Sequence, residues 1–177
     1  MGAAGVAVLA AVAVLAFGVD NGGSAAERVT GSTFDLPALD GTGTVSLASY
    51  GGRPVVVNFF ASWCDVCASE LPTFARVARA ERAAVAFIEV DTLETGNGAA
   101  FANRFDLQHS VAATAKDPGA FDGKGLYRFL GGTGGMPLTA FYNPQGRLIA
   151  THVGVLNTAG LYADLARYYH LTEPMTP

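Results

Sequence analysis

Two cysteines stand three residues apart in the run Ala61-Ser62-Trp63-Cys64-Asp65-Val66-Cys67, and the chain has no others. A Cys-X-X-Cys pair can shuttle between dithiol and disulfide, so the chemistry it offers is thiol-disulfide exchange. The preceding Pro54-Val55-Val56-Val57-Asn58-Phe59-Phe60 is β-branched and aromatic, as a strand buried on both faces is. A helix is predicted after it over 64–82, with Val66, Leu71, Phe74, Val77 and Ala78 on its inner side. Cys64 then sits at a helix N-terminus, where unpaired N–H groups and the macrodipole favour a thiolate. Cys67 falls one turn deeper on the same face, within bonding distance and shielded from solvent. Cys64 is thereby the attacking thiol and Cys67 the one that resolves the mixed disulfide. Three other readings compete. A structural disulfide rarely spans so short a loop at a helix start. Half of a zinc site would need two more ligands, and His109, His152 and His170 lack ligand spacing. Inert core thiols fit poorly beside an exposed-looking Trp and an Asp.

A second element is the segment Gly134-Gly135-Met136-Pro137-Leu138-Thr139-Ala140-Phe141, which puts a proline directly before a strand. If the Met136–Pro137 bond is cis, the backbone before it turns toward the Cys64 helix and can pair with an extended substrate segment. The alternative is an ordinary trans proline opening a strand. The glycines suit a loop that approaches another backbone closely.

These pieces need a scaffold, and the chain is long enough for one. Its 177 residues and 18.2 kDa favour a single domain. Half of the residues are hydrophobic and only 15% are charged, which excludes a disordered chain. Eleven Lys and Arg against fifteen Asp and Glu give a net charge of −4, against a nucleic-acid partner that would need a basic face. Residues 2–19 are uncharged and mostly Ala, Val and Leu. As a helix they would span about 27 Å at ~1.5 Å per residue, marginal for a bilayer. The segment reads as a signal anchor, or as a signal peptide cut after Ser24, Ala25 and Ala26, although no Lys or Arg precedes it. A buried core helix is the remaining alternative. The organisation expected is a signal anchor or signal peptide over 1–26, a linker over 27–32 and one domain over 33–177.

Within that domain strands are predicted at 34–39 and 44–47 around the turn Asp40-Gly41-Thr42-Gly43, then at 54–60, 84–90, 138–142 and 147–153. Helices are predicted at 64–82 and 98–105, and from Thr158, as N-cap, to about Tyr169. Residues 110–113 read as extended and 119–130 as helical or irregular. A β-α-β unit followed by a hairpin and a helix implies an α/β fold with a central mixed sheet flanked by helices.

The chain resembles the membrane-anchored thioredoxin-like oxidoreductases of the TlpA/ResA/DsbE type. The resemblance rests on residues 55–67, on Glu70-Leu71-Pro72, on Met136-Pro137 and on Asn143-Pro144-Gln145-Gly146-Arg147, and it covers roughly 32–169. It implies a thioredoxin-like fold, with Cys64 as nucleophile, Cys67 as resolving thiol and Pro137 as the cis-proline of a substrate groove. Trp63, Asp65, Val66 and Met136 would line or support that groove. Glu70 stands where many reductases of the group keep a glutamate near the cysteines; otherwise it is a solvated residue on the second turn of the helix. Asn58 stands where thioredoxin has a buried acid. A neutral amide cannot take a proton, so Glu70 or water would have to assist resolution. Pro72 removes an N–H inside the helix and should kink it.

What the resemblance implies for function is an enzyme on the outer face of the cytoplasmic membrane, or secreted if the signal is cleaved. It would be reduced by a membrane electron donor of the CcdA/DsbD type. It would reduce disulfides in exported proteins, such as apocytochrome c cysteines. No cofactor and no metal are expected. The reverse direction, an oxidase that inserts disulfides, is the first alternative. Asp65 bears on that choice, since a charge beside Cys64 raises the cost of its thiolate and makes the couple more reducing. A Cu(I) carrier using Cys64, Cys67 and His152 is the second alternative. Related carriers, however, use Cys-X-X-X-Cys and methionine-rich segments, and only Met1, Met136 and Met175 occur here. A peroxiredoxin is disfavoured by the lack of Pro-X-X-X-Thr-X-X-Cys.

Overall fold

The computed structural model describes residues 28–30 and 33–173. The apolar run at 2–19, and with it the expected anchor helix, lies outside the described residues. A three-stranded antiparallel sheet comes first, β1 (Arg28–Thr30), β2 (Thr33–Pro37) and β3 (Thr44–Ser46), so part of the stretch read as a linker is strand. A five-stranded mixed sheet follows in the order β6-β5-β4-β7-β8. Its strands are β4 (Val55–Phe60), β5 (Ala86–Thr92), β6 (Ala113–Asp117), β7 (Leu138–Tyr142) and β8 (Leu148–Val153). β4, β5 and β6 run parallel, and β7 and β8 are antiparallel additions.

Alternation along the strands sends side chains to opposite faces. Val55, Val57 and Phe59 face one way with Ala86, Ile88, Val90, Leu138 and Ala140, and the small sheet covers them through Phe34 and Leu36. Val56 faces the other way with Phe87 and Phe141, under Phe74 and Val77 of α1 (Asp65–Glu81) and Leu161 and Leu165 of α5 (Thr158–Tyr169). Phe60 continues that second face into a cluster with Cys64, Cys67, Leu71, Phe101 and Leu107. Each large apolar side chain so buried stabilises the fold by roughly 1.5–3 kcal/mol. The cluster around Phe60 thus gives the cysteines a rigid floor.

Two local expectations need correction, at 110–113 and at the N-cap of the last helix, and the helical or irregular segment 119–130 gains detail. Residues 110–113 are not one extended piece. Ser110 closes the short helix α3 (Leu107–Ser110), its Oγ donating to the Asp106 carbonyl and Val111 N to the Leu107 carbonyl, and β6 starts only at Ala113. The segment 119–130 contains a 3-10 turn at Pro118–Ala120 and a single helical turn, α4 (Leu126–Phe129). The last helix is capped by Asn157, whose Oδ1 accepts from Gly160 N at 2.8 Å, while Thr158 Oγ accepts from Arg76 instead. The remaining helix, α2 (Gly98–Arg104), lies one residue inside its expected end. Helix α1 runs through Pro72 as one element.

Candidate active site

β4 ends at Phe60, the chain turns so that Cys64 N donates to the Ala61 carbonyl at 3.1 Å, and α1 begins. Cys64 is the N-cap. Its Sγ accepts from Cys67 N at 3.1 Å, which aims one of the free N–H groups of the helix start at the sulfur. The two cysteines are joined as a disulfide with Sγ atoms 2.05 Å apart. Cys67 is wholly buried and Cys64 retains 6% of its surface, so what access there is belongs to Cys64. Trp63 and Val66, beside the pair in sequence, are about half exposed, at 47% and 52%. Asp65 is exposed.

The Met136–Pro137 peptide is cis. Pro137 is buried, with its carbonyl accepting from Gly154 N at 2.9 Å, and Met136 packs against the cluster that holds both cysteines. Gly135 lies so close to Val153 that an added Cβ would sit 3.3 Å from its methyl. The structure thus brings Cys64, Cys67 and Met136 into one cluster, with Pro137 next in the chain.

Glu70 is not solvated. It lies one turn after Cys67 on the inner face of α1 and is 1% exposed. Its Oε1 accepts from Asn58 Nδ2 at 3.1 Å and its Oε2 from Leu156 N at 3.0 Å. Burial pushes its carboxyl up to about 7, against the pull of those two hydrogen bonds. Asn58 also donates to Glu89 Oε2 at 3.2 Å and accepts from Thr139 Oγ1 at 3.1 Å. These contacts follow from register, because Asn58 pairs with Glu89 on β5 and with Thr139 on β7. A polar row therefore crosses the sheet beneath α1, between the apolar clusters of Val56 and of Phe60.

Sequence reasoning misses another group. Glu94 accepts from Ser62 N at 2.7 Å, from Ser62 Oγ at 2.6 Å and from Gly96 N at 2.5 Å. Trp63 Nε1 donates to the Leu93 carbonyl at 2.7 Å, and Leu93 itself takes a positive φ of 50°. The loop after β5 therefore grips the two residues that precede Cys64. Burial, which would raise the Glu94 carboxyl, is outweighed by these bonds and by one from Asp91, so it is held low. Burial and then the neighbouring Glu94 push Asp91 up to about 8. Asp91 and Glu94 also line a cavity of about 340 Å³ with Leu39, Lys116 and Phe121. A signal for Glu89 and Asp91 exists, since two acids interrupt the apolar run Val85-Ala86-Phe87-Ile88-Glu89-Val90-Asp91. Among the described residues no three His, Cys, Asp or Glu side chains converge as metal ligands would.

Comparison with known proteins agrees with this geometry. The model of the AhpC/TSA family matches residues 30–159. The thiol:disulfide interchange protein DsbE of Pseudomonas fluorescens is 28% identical over 145 residues, covering 81% of this chain and 76% of its own. The soluble secreted antigen MPT53 of Mycobacterium bovis is 32% identical over 109 residues, 58% of this chain and 59% of that protein. The crystal structure of the exposed lipoprotein thioredoxin of Streptococcus pneumoniae superposes with a TM-score of 0.62 at 27% identity, covering 76% of this chain and 98% of that one. The chain belongs to the AhpC/TSA family and is a thiol-disulfide oxidoreductase of the DsbE and thioredoxin type.

Proposed function

We propose that this oxidoreductase works outside the cytoplasm and in the reducing direction, with Cys64 as nucleophile and Cys67 as resolving thiol. In the reduced enzyme the Cys64 thiolate attacks a substrate disulfide, releasing one substrate thiolate and leaving a Cys64–substrate disulfide. Cys67 gives its proton to the Glu70 carboxylate and attacks Cys64 Sγ. The second substrate thiolate departs, takes a proton from solvent, and the Cys64–Cys67 disulfide is left. Trp63, Val66, Met136 and Pro137 supply the groove in this reading, and Asp65 rims it. The observation that carries the reading is Glu70, a carboxyl buried one turn from Cys67 and poised at about 7. A group so poised can take the resolving proton near neutral pH. Its negative charge also raises the cost of a nearby thiolate, which destabilises the dithiol form and makes the couple more reducing.

The substrates in this proposal are disulfides of exported proteins, among them apocytochrome c cysteines. The reductant is a membrane dithiol donor of the CcdA/DsbD kind. Support for the compartment comes from the DsbE and secreted-antigen relatives. Residues 1–26 are assigned in it as signal anchor or signal peptide, 27–32 as a linker that contributes β1, and 33–177 as the catalytic domain. The deciding experiment is the reduction potential of the purified chain in a dithiothreitol or glutathione buffer. A value near or below the roughly −270 mV of thioredoxin is expected, and one near the roughly −120 mV of DsbA would reverse the direction.

A further inference from the structure

Glu89 is a second buried acid that the exchange steps leave unused. It lies in the middle of β5, wholly buried, with Oε2 on Asn58 and Oε1 without a hydrogen-bond partner. The nitrogen that serves it, Asn58 Nδ2, also serves Glu70 Oε1, so two carboxyl groups face each other across one atom. Asn58 has no freedom left to serve them differently, because its Oδ1 is engaged by Thr139. Two carboxylates this close in a buried site do not ionise independently; they titrate as a pair.

The partners decide the order in which the pair loses protons. Glu70 has a donor on each oxygen, Asn58 and the Leu156 N–H, and both favour its charged form. Glu89 has only the shared Asn58. Burial, followed by the facing Glu70, pushes Glu89 well above the usual carboxylate range, so Glu70 ionises first and Glu89 keeps its proton. The other groups around the pair are few. Cys67 lies one turn before Glu70 on α1. Thr139 closes the β7 side, and His152 on β8, opposite Thr139, stands near Asp164 at 3.9 Å. Thr114 of β6 is opposite Glu89, with Lys116 opposite Asp91 farther along. Asp91 lies two residues on from Glu89 along the same face of β5, held toward Glu94.

We propose that Glu89 is a positioning residue for thiol-disulfide exchange: joined to Glu70 through Asn58, it holds the second proton of a two-carboxyl unit and so sets how many protons accompany the two electrons of the Cys64–Cys67 couple. This rests on the reading that the pair cycles with Glu70 serving Cys67. On reduction by a partner dithiol the Cys64–Cys67 bond breaks, two electrons enter and the partner becomes a disulfide. The negative charge that develops on sulfur strengthens proton binding by the nearby acids. Where the unit is already ionised in the disulfide form, reduction therefore draws a proton from solvent onto it.

The test is the reduction potential of the full chain, equilibrated with dithiothreitol from pH 6 to 9.5, for the unsubstituted protein, Glu70→Gln and Glu89→Gln. Glu89→Gln is expected to flatten the curve above neutral pH and leave the region near pH 7 in place. Glu70→Gln is expected to remove the bend near pH 7 and move the remaining one toward neutral pH. A Glu89→Gln curve superimposed on the unsubstituted one over the whole range overturns the proposal. The unsubstituted protein supplies a second measurement that does not depend on the variants folding. In the disulfide form one infrared band of a protonated carboxyl should outlast those of Glu70 and Asp91 as pH rises, and reduction should restore it where it has begun to be lost. Absence of that band, or indifference to reduction, overturns the role of Glu89 while a reversible couple still stands. Absence of any reversible couple overturns the exchange mechanism itself, and this inference with it.

Discussion

Glu94 holds Ser62 by two hydrogen bonds, one from the backbone N–H at 2.7 Å and one from the hydroxyl at 2.6 Å, two residues ahead of Cys64. The next residue, Trp63, is tied to the Leu93 carbonyl. Cys64 has almost no polar anchoring of its own beyond the start of α1. Its position is inherited from this grip on the residues before it and from the apolar cluster behind it. A loop can carry a reactive group accurately only when a rigid neighbour fixes it, and here the neighbour is the end of β5.

Glu94→Ala should therefore loosen the approach to Cys64 without touching a sulfur. The hydrogen bonds from Ser62 N, Ser62 Oγ and Gly96 N to a charged acceptor are lost at a partly buried site, and the expected destabilisation is about 2 kcal/mol or more. A lower urea midpoint measures that loss. Trp63 emission should move to longer wavelength as its indole gains water. Glu94→Gln keeps one acceptor and should recover part of both effects. Unchanged emission in Glu94→Ala would mean that Trp63 is held by the Leu93 carbonyl alone.

The two thiols of the reduced protein should differ sharply in reactivity. Cys64 has the helix N–H from Cys67 and what solvent access exists, whereas Cys67 is wholly enclosed. Alkylation by iodoacetamide is expected at Cys64 roughly tenfold faster or more, read by mass spectrometry of the modified peptide. Cys67→Ser should accumulate disulfide-linked adducts with its partners, since nothing remains to resolve them. Equal alkylation rates would remove the assignment of roles.

Much of this site could be read before any coordinates. Cys64, Cys67 and Pro137 are legible because a buried strand, a helix start and a proline at a strand entrance each leave a local signature. The hydrogen-bond partners of Asn58 are not, since Glu70, Glu89 and Thr139 reach it from three elements whose register only the folded sheet defines. Glu94 is hidden for another reason. It lies in a loop that reads as ordinary polar chain, and its value comes from Leu93 adopting a positive φ that no β-propensity would suggest. The error at Thr158 has a different cause: Asn157 beside it is the stronger capping residue and takes the cap, while Arg76, far away in the chain, claims the Thr158 hydroxyl.

Asp65 is the residue whose expected weight falls. It is exposed, so its charge is screened, and an interaction of about 0.5 kcal/mol or less is appropriate. At roughly 30 mV per 1.4 kcal/mol, Asp65→Asn should raise the potential by only about 10 mV. Glu70→Gln at pH 8 removes a buried charge one turn from Cys67 and should make the couple more oxidising by several times that amount. Measured side by side, a larger shift for Asp65→Asn than for Glu70→Gln would return the control of direction to the residue between the cysteines.

The buried acids also make stability depend on pH, and the sign follows from their environment. Glu70 is held at about 7 against an ordinary value of 4.5, and Asp91 at about 8 against 3.8. A carboxyl raised on folding stabilises the fold fully below its unfolded value, and that contribution is lost as pH rises through the folded value. Stability should thus fall between about pH 4 and pH 8. Glu70 accounts for up to ~3 kcal/mol of this, because a tenfold change in proton affinity on folding is worth about 1.36 kcal/mol. Glu70→Gln removes this ionisation. At pH 5 it should be no more stable than the unsubstituted protein, because a carboxylic acid already sits there. By pH 8 its relative stability should have improved by about 1 kcal/mol or more, as the unsubstituted protein meets the cost of a buried charge. Urea midpoints at pH 5, 6.5 and 8 measure this, for the disulfide form throughout. Parallel curves for the two proteins would show that Glu70 keeps one protonation state across that window, and it could not then take the proton of Cys67.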